Sequence, residues 1–587
     1  MCGIAGIYTN KNRSFEKDIK SMADALKHRG PDSYGYHIDE KQGLYFGHRR
    51  LRIIDLSKRA DQPMYSVDKD IIIVFNGEIY NHLEIKKDLE DKGYKFKSTS
   101  DTEVIIYGYK EYGTKIFEKL DGVFGIGLWD EKKKELFVVR DRIGVIPLYY
   151  ISDSGTFYFA SEVKAFKKVW DFKLNIESFK TLLGFMYNFH PKNTMVEGVQ
   201  KVRPGTYLEV SNKGIKEKTY WSLKIKRNNV SYEEAVIQTE KLLKEAVEKR
   251  VLNCDVPQGV LLSGGIDSSM VAAIAAKVSG SEKVKTFTAI SDSKRDEREH
   301  ARTVANYIGS EHTEVYMDSK NILRSIDDII DTYDDLNSVD PGVVSVWLLS
   351  DKIRKLGMRV VLTGEGADEV FGGYSWYGLS KFPFNLLPPF LRNSFFYYVL
   401  SRVTTNRFFN FHRKLFNRQV KSHKYGIFDQ IASFEIKDQL PNHFNMKVNK
   451  GNMIHGVEPR VPYLDYKLLQ YVCNLPPKYK LKGFFFNYWM SWEKRILRDV
   501  AKKYLPEEIF MRKKHGFMLS MVDTMNADME YVRKRIKNNE EVISGVLGKK
   551  YLNWLFKSTD NKILATEKEF MTWKLLLFSV WYDKLIK

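Results

Sequence analysis

The sequence predicts two domains of different fold class, a strand-rich α+β domain followed by an α/β domain. The chain has 587 residues, and a single hydrophobic core rarely grows beyond about 250–300 residues. Roughly the first 200 residues contain short apolar runs bounded by turn residues, as expected of strands. From residue 259 onward, apolar strand-like runs alternate with helical patterns, which is typical of a parallel sheet covered by helices.

The elements of the first domain follow from these runs. Apolar runs predict strands at 44–47, 71–75, 125–129 and 136–139. Helical spacing between the runs predicts helices at 82–92 and 102–112. The polar stretch at 211–229 predicts the boundary between the two domains.

The second domain opens with a helix that carries a capping box. Ser231 and Glu234 form the box, and apolar residues at helical spacing continue to about Lys249. A buried strand, a Ser/Gly turn and a helix follow, and later runs predict further elements: strands at 259–262, 284–290 and 359–363, and a helix at 268–277. Residues beyond about 374 are predicted to be mainly helical.

Composition excludes several classes of protein. The formal net charge is +20, but acidic residues are interleaved with the basic ones, so we predict no nucleic-acid partner. Cys2, Cys254 and Cys473 are widely spaced and suit a reducing compartment. The N-terminus lacks a signal-peptide core, and no uncharged run approaches the ~20 residues of a membrane span. The best candidate, 382–403, contains prolines and arginines, so we expect a cytoplasmic protein.

Cys2 is the most informative single residue. Removal of Met1, which a small second residue permits, would leave a thiol and a free α-amine on one residue. That amine can accept the thiol proton, so attack on an amide becomes feasible near neutral pH. An isolated Met-Cys pair would be weak evidence for a catalytic cysteine. The motifs in the rest of the sequence strengthen this interpretation.

Two loops predict a nucleotide site in the second domain. Residues 263–269 (SGGIDSS) lie between a predicted strand and helix, where glycines, hydroxyls and free N–H groups hold anions. The loop lacks the Gly-Lys-Ser/Thr ending of a Walker A motif and resembles the pyrophosphate loop of ATP pyrophosphatases. Residues 363–369 (TGEGADE) follow another strand and place three acids in a glycine turn, which suits a metal and a proton acceptor.

The ordered motifs resemble one family along nearly the whole chain. The motifs CGI (2–4), HRGPD (28–32), RRL (49–51), QP (62–63), NGEIYN (76–81) and SDTE (100–103) resemble a class II glutamine amidotransferase domain. SGGIDSS, TGEGADEVFGGY (363–374), GVEPRVPYLD (456–465) and KRILR (494–498) resemble the synthetase domain of glutamine-hydrolysing asparagine synthetases.

This resemblance implies a fold and an activity. It implies an N-terminal four-layer αββα sandwich of the Ntn hydrolase type over residues 1–212. It also implies a doubly wound parallel-sheet α/β synthetase domain, with a helical C-terminal part, over residues 230–587. The implied reaction hydrolyses glutamine to ammonia, adenylates a carboxylate with Mg-ATP and forms an amide, with AMP and pyrophosphate as products. ATP and Mg²⁺ are therefore the expected cofactors.

The resemblance also assigns roles in the glutaminase half. Cys2 would attack the glutamine amide, and Asn76 and Gly77 would donate hydrogen bonds to the oxyanion. Arg50 would bind the glutamine carboxylate and Asp101 its ammonium. The full implied glutamine-binding set is Arg50, Leu51, Ile53, Ile54, Asn76, Gly77, Glu78 and Asp101.

In the synthetase half, the resemblance implies that Glu365 acts as the base or stabilises the intermediate. Lys494 and Lys514 would counter the charge of the departing pyrophosphate. Asp267 and Asp368 would bind Mg²⁺. The implied ATP-binding set is Leu261, Ser263, Gly264, Gly265, Asp267, Ser268, Ser269, Ala289, Thr363, Gly364 and Lys494.

The identity of the carboxylate that accepts the ammonia is left open by the sequence. Aspartate is the first hypothesis, and a uronic-acid-type sugar carboxylate of surface polysaccharides is the second. Arg52 and Pro459 depart from the usual family residues, and the aromatic, basic segment 374–431 is hard to place on the shorter asparagine enzymes. A third hypothesis, a non-enzymatic protein that binds acidic partners, conflicts with intact Cys2, Asp267 and Glu365. The oligomeric state is undetermined by the sequence, and a homodimer remains open.

Overall fold

The structure is a computed structural model, and it describes residues 1–280, 283–291, 296–381, 388, 391, 426–482, 493–512, 520–557 and 562–587. Lys514 and most of the segment 374–431, including nearly all of 382–403, lie outside the described residues. Within those residues, no helix combines the length and the apolar character needed to cross a membrane.

The first domain consists of two antiparallel sheets. Its strands are β1 (Gly3–Thr9), β2 (Ser33–Asp39), β3 (Leu44–Arg50), β4 (Met64–Tyr65), β5 (Ile71–Ile79), β6 (Gly122–Asp130), β7 (Glu135–Arg140), β8 (Tyr149–Asp153), β9 (Thr156–Ala160), β10 (Gln200–Lys201), β11 (Thr206–Ser211) and β12 (Gly214–Thr219). Its helices are α1 (Glu16–Asp24), α2 (His82–Glu90), α3 (Asp101–Tyr112), α4 (Ile116–Lys119) and α5 (Ile176–Gly184). The sheet orders are β10-β8-β9-β1-β3-β2 and β12-β11-β7-β6-β5-β4.

The side-chain alternation of β5 shows the four layers. Ile72 and Val74 pack into the core between the two sheets, whereas Ile71, Ile73 and Phe75 pack against α2 and α3 on the outer face. Successive strand residues point to opposite faces, so a strand buried on both faces is apolar throughout. Helix α1 covers the outer face of the other sheet. The predicted αββα sandwich is confirmed.

The second domain has a parallel sheet of strands β13 (Gln258–Leu261), β14 (Lys285–Ile290), β15 (Glu311–Tyr316), β16 (Val360–Leu362) and β17 (Glu458–Arg460). The described helices are α6 (Tyr232–Leu252), α7 (Ile266–Ser279), α8 (Arg298–Ile308), α9 (Ser319–Arg324), α10 (Ile326–Thr332), α11 (Gly342–Lys355), α12 (Ala367–Phe371), α13 (Ile427–Phe434), α14 (Asn445–Met453), α15 (Tyr466–Asn474), α16 (Pro477–Lys480), α17 (Arg495–Ala501), α18 (Glu507–Phe510), α19 (Met521–Asn526), α20 (Met529–Lys537), α21 (Glu540–Leu547), α22 (Lys549–Leu555) and α23 (Lys562–Leu585). A π-helical segment, Glu435–Phe444, joins α13 to α14.

The strand order of the parallel sheet positions a ligand crevice. The order is β15-β14-β13-β16-β17, and every pair is parallel. The chain moves outward from β13 in one direction and then returns to β16 on the other side. In doubly wound sheets, ligands bind at such a reversal, beyond the carboxyl ends of the two strands. The predicted doubly wound class is confirmed, and its crevice lies between the ends of β13 and β16.

The link between the domains is short. Strand β12 pairs with β11 along its whole length, so the second sheet of the sandwich continues past residue 212. The capping box of Ser231 and Glu234 is present at the start of α6, as predicted. The division at residues 212 and 230 stays a prediction.

Helix α23 contacts both domains. The Trp581 indole N–H donates to the Asp334 carbonyl, and the Lys574 ammonium donates to the Leu183 carbonyl.

Candidate active sites

Cys2 lies at the start of β1, where neighbouring elements fix its backbone. Its N–H donates to Asn76 Oδ1 at 2.7 Å, and its carbonyl accepts from Arg29 Nε at 3.0 Å. The thiol is 3.8 Å from the Leu51 carbonyl, and the residue is 8% exposed. The nucleophile is therefore held by groups from β5, from the HRGPD segment and from the end of β3.

The charges around Cys2 come from both domains. Burial raises the pKa of the Cys2 thiol, and the nearby Met1 ammonium partly opposes this shift. That ammonium is fully buried and forms an ion pair with Glu458 of β17. Burial lowers the pKa of the Met1 amine, but Glu458, Cys2 and Glu78 together outweigh this effect and raise it. The N-terminus is thus held against the synthetase sheet by a buried charge pair.

The two predicted oxyanion donors lie side by side on β5. The Asn76 side-chain amide donates to Ser161 Oγ at 3.3 Å and accepts from Cys2 with its oxygen. Gly77 has φ +154°, and a Cβ there would lie 2.0 Å from the Val123 carbonyl oxygen. Only glycine therefore fits this backbone. The structure brings Asn76 beside Cys2, and the oxyanion role stays a prediction.

Arg50 is buried and orders the loop after β3. Its guanidinium donates to the carbonyls of Ser57 at 2.8 Å and Asp55 at 2.5 Å, and it contacts Asp61 Oδ1 at 2.7 Å. The Ile54 carbonyl accepts a longer bond of 3.3 Å. Sequence reasoning did not identify Asp61 as its partner. Arg50 therefore holds the loop that contains Ile53 and Ile54, in addition to the predicted glutamine contact.

Two buried acids beside this loop suit the ammonium of an amino acid. Asp101, in the first turn of α3, accepts from the Ile79 N–H at 2.9 Å. Glu78 lies 3.5 Å from Arg460, and its Oε2 has no hydrogen-bond partner among the described residues. Burial raises the pKa values of both carboxyl groups. The ammonium of a bound amino acid would bring a positive charge that favours the ionised form of both carboxyl groups. This fits the predicted glutamine site.

The second centre is a cavity of about 340 Å³ at the switch point of the parallel sheet. Its walls include most of the predicted ATP-binding residues, namely Leu261, Ser263, Gly265, Asp267, Ser268, Ala289, Thr363, Gly364 and Lys494. The predicted catalytic and metal residues Glu365 and Asp368 also line it. The predicted nucleotide site therefore coincides with a cavity.

The 263–269 loop forms the N-terminus of α7. Ser263 and Ser268 bond to each other, Oγ to Oγ at 3.0 Å, and Ser269 donates its N–H to the Gly265 carbonyl. Gly264 has φ +72°, and a Cβ there would lie 2.6 Å from the Ala301 nitrogen. Glycine thus lets the loop pack against α8 while the helix N-terminus faces the cavity. Helix N-termini bind phosphate through free N–H groups and the helix dipole.

Lys494 connects the two acidic loops. Its ammonium lies 2.5 Å from Asp267 and 2.6 Å from Asp368. Burial lowers the lysine pKa, but the two carboxylates outweigh this effect and raise it. Asp267 and Asp368 therefore converge on one cation, and paired carboxylates are ligands that Mg²⁺ accepts. The donor set fits the predicted metal, although no cluster of three or more metal-ligating side chains occurs in the described part of the chain.

Glu365, in the loop after β16, also lines the cavity. It lies 3.5 Å from Lys447, a residue that sequence reasoning missed. Also missed were Glu297 and Arg512, which form an ion pair at 2.8 Å beside the cavity. Burial raises the pKa of Glu297 to about 7. Lys514 falls outside the described residues, so its role stays a prediction.

A short path joins the two centres. Thr363, the first residue of the TGEGADE loop, donates its N–H to the Arg460 carbonyl at 2.9 Å. The Arg460 side chain contacts Glu458 at 2.8 Å and Glu78 at 3.5 Å. Arg460 of β17 thus touches the cavity loop through its backbone and the predicted glutamine site through its side chain.

These features define a class of enzyme. A buried cysteine at the N-terminus of an αββα sandwich, joined to a doubly wound sheet with an anion loop, defines a glutamine amidotransferase coupled to an ATP-dependent ligase. Residues 1–221 match the glutamine amidotransferase domain family. Residues 238–583 match the asparagine synthase family. The chain therefore belongs to the asparagine synthase family.

Several curated proteins are similar over most of their length. The glutamine-hydrolysing asparagine synthetase 1 of Bacillus subtilis (strain 168) is 29% identical, over 99% of this chain and 96% of the relative. The probable asparagine synthetase of Schizosaccharomyces pombe is 32% identical, over 88% and 84%. A Penicillium rubens protein named amidase chyE is 31% identical, over 88% of each chain.

Proposed function

We propose that this protein is a glutamine-dependent asparagine synthetase that uses aspartate as its acceptor. The observation that carries the proposal is the convergence of Asp267 and Asp368 on Lys494, beside Glu365, in a cavity at the switch point. Relatives named asparagine synthetase match along almost the whole chain and support the choice of aspartate. Because a relative with another name is equally similar, the acceptor needs a direct test.

In the glutaminase half, loss of Met1 would create the active nucleophile. The new α-amine on Cys2 accepts the thiol proton, and the thiolate attacks the side-chain carbonyl of glutamine. The C–N bond breaks, ammonia leaves, and water hydrolyses the thioester to glutamate. Asn76 and Gly77 stabilise the oxyanion, an effect worth about 3–4 kcal/mol in comparable sites. Glu78 and Asp101 hold the substrate ammonium.

In the synthetase half, the N-terminus of α7 and Lys494 bind the pyrophosphate part of ATP. An oxygen of the acceptor carboxylate attacks the α-phosphorus, and the bond to pyrophosphate breaks. Ammonia then attacks the acyl carbon, and AMP leaves as the amide forms. Glu365 accepts the proton that the attacking ammonia loses. Mg²⁺, held by Asp267 and Asp368, would neutralise phosphate charge when bound.

Ammonia must pass from Cys2 to the second centre without protonation. The Met1 side chain lies in this region, with its sulfur 3.1 Å from Asn449 Nδ2 of α14. Asn449 also accepts from Arg29, which contacts the Cys2 carbonyl. Removal of Met1 would vacate space between Cys2 and the synthetase domain. We infer that ammonia enters the domain interface here.

A single assay tests the acceptor. The enzyme is incubated with glutamine, Mg-ATP and aspartate, and asparagine, AMP and pyrophosphate are expected in equal amounts. AMP formation with glucuronate but not with aspartate would instead identify a sugar-carboxylate amidotransferase. The variant Cys2→Ala is the matched control, since it should lose glutamine-dependent synthesis and keep ammonia-dependent synthesis. The cytoplasmic location, the absence of a nucleic-acid partner and a homodimer remain predictions.

A further inference from the structure

The cavity continues past Glu365 to charged and polar groups around the start of α11. Lys447 of α14 lies 3.5 Å from Glu365 and 4.0 Å from Asp340. Asp340 caps α11, since its Oδ1 accepts from the Gly342 N–H at 2.7 Å. Gly342, Ser345 and Lys447 all line the cavity.

Lys447 is a charged, desolvated cation. Its side chain is 11% exposed, and its ammonium lies 4.9 Å from the centre of the Phe444 ring. Burial lowers the pKa of Lys447, but Glu365 and Asp340 outweigh this effect and raise it above 10.5. One cation therefore lies between two carboxylates. The cluster offers both an anion and a cation to a ligand that carries both charges.

Ser345 adds an unused donor. The residue is 5% exposed, and its hydroxyl has no hydrogen-bond partner among the described residues. It lies three residues after Gly342 on α11, so both face the same side of the helix. A buried polar group without a hydrogen-bond partner destabilises the fold. A ligand oxygen at this position would remove that destabilisation.

Gly342 permits the close approach of the charged groups. A Cβ on Gly342 would lie 2.6 Å from Asp340 Oδ1 and 3.4 Å from Lys447 Nζ. Any larger side chain would push Asp340 away from the lysine. Gly342 thus leaves room for Asp340 beside Lys447, and Lys447 lines the cavity.

We propose that Asp340 binds the α-ammonium, and that Lys447 and the Ser345 hydroxyl bind the α-carboxylate, of an α-amino dicarboxylate acceptor. The inference rests on the proposed function and assigns its specificity to named residues. The second carboxylate of such an acceptor then extends past Glu365 toward the nucleotide. A uronic acid offers one carboxylate, which must react, and no ammonium. It would offer no cation to Asp340 and no second carboxylate to Lys447.

The experiment pairs residue changes with acceptor changes. Succinate lacks the ammonium of aspartate, and 3-aminopropanoate lacks its α-carboxylate. AMP formation is measured with saturating Mg-ATP and ammonium for each acceptor. In Asp340→Asn, kcat/KM should fall at least tenfold for aspartate and change little for succinate. In Lys447→Met, kcat/KM should fall at least tenfold for aspartate and change little for 3-aminopropanoate. A charged hydrogen bond of about 1.5–3 kcal/mol corresponds to such factors.

The controls separate specificity from folding. Asp351→Asn changes another acid of α11, one that pairs with Lys355, and should leave every acceptor unchanged. Glutaminase activity and the KM for ATP report whether each variant is folded. Asparagine at Asp340 keeps the oxygen that caps α11, so the fold should survive. If Asp340→Asn nevertheless unfolds, Lys447→Met and Ser345→Ala test the same site.

Two kinds of failure are distinguishable. If the wild-type enzyme forms no AMP with aspartate, the proposed function fails before any variant is made. If the wild type uses aspartate but each variant weakens aspartate and its analogue equally, the residues have only a structural role and the inference is wrong. Unchanged kcat/KM for aspartate in both variants would also overturn it.

Discussion

The guanidinium of Arg460 lies 3.5 Å from the Glu78 carboxylate, so the edge strand of the synthetase sheet touches a residue of the predicted glutamine site. Arg460 also pairs with Glu458, which holds the N-terminal ammonium. Its carbonyl accepts from Thr363, at the start of the loop that carries Glu365. One buried residue of β17 therefore contacts groups of both centres.

Replacing Arg460 should uncouple the two reactions. Arg460→Met leaves Glu458 and Glu78 without their shared cation, and breaking a buried pair in this way costs about 3–5 kcal/mol of stability. Glutamine-dependent synthesis should fall at least tenfold relative to ammonia-dependent synthesis in the same preparation. Arg302→Met, which breaks an exposed pair with Glu314, is the matched control and should change neither. An unchanged ratio of the two activities in Arg460→Met would refute coupling through this residue.

Removal of Met1 should be required for glutaminase activity. In the unprocessed chain the amine belongs to Met1 and is held by Glu458, so it is not available on Cys2 as a base. Mass spectrometry of active enzyme should show a chain that starts at Cys2. An extra residue placed before Met1, so that processing fails, should abolish glutamine hydrolysis and leave ammonia-dependent synthesis intact. Full glutaminase activity in a chain that retains Met1 would contradict this mechanism.

Local sequence signals predicted the elements that contain the sites. The capping box of Ser231 and Glu234 marked the start of α6, and apolar runs marked β5, β13 and β16. Strands β15 and β17 were not predicted. β15 (EHTEVY) is largely polar, and β17 has three residues with Pro459 at its centre. Proline is tolerated there because β17 is an edge strand and needs fewer ladder donors.

The motifs predicted several candidate site residues, but not the contacts that these residues make across the domain boundary. Cys2 and Asn76 are distant in sequence, and the resemblance alone placed them in one site. In the structure, the Cys2 N–H lies 2.7 Å from Asn76 Oδ1. The contacts of Lys447 with Glu365 and of Arg460 with Glu78 were missed. Each depends on the packing of one domain element against another, and neither residue type is unusual in a lysine- and arginine-rich chain. Such pairs are set by tertiary packing, which periodicity does not report.

Glu162 should stabilise the glutaminase centre in a pH-dependent way. Its carboxylate contacts Arg29 at 2.7 Å and His28 at 3.0 Å, and Arg29 positions the Cys2 carbonyl. Burial alone would raise the pKa of Glu162, but His28 and the neighbouring cations outweigh it and hold the pKa well below 4.5. A depressed pKa in the folded state gives stability that is present above pH 4.5 and is lost as pH falls below it.

Glu162→Gln should therefore lower the free energy of unfolding at pH 7 by about 3–5 kcal/mol, as for other broken buried pairs. The difference from wild type should shrink as the pH is lowered below 4.5, because protons then bind Glu162 in the unfolded chain while the folded carboxylate is still ionised. Urea titrations at several pH values measure this. Glu16→Gln, which removes an exposed pair with Lys20, should have little effect at any pH. A difference that is constant with pH would show that Glu162 acts without its charge.

Gly373 should be required for ATP use but not for glutamine hydrolysis. A Cβ there would lie 1.9 Å from Asp368 Oδ1 and 2.1 Å from Lys494 Cε, so an alanine would force both side chains to move. Gly373→Ala should lower kcat/KM for ATP at least 100-fold, while glutamine hydrolysis in the other domain continues. Gly545→Ala, in helix α21 with no atom within 4 Å of the new Cβ, is the matched control. It should leave catalysis unchanged and stabilise the helix by up to about 1 kcal/mol. Normal ATP kinetics in Gly373→Ala would show that Lys494 need not lie against Asp368 during catalysis.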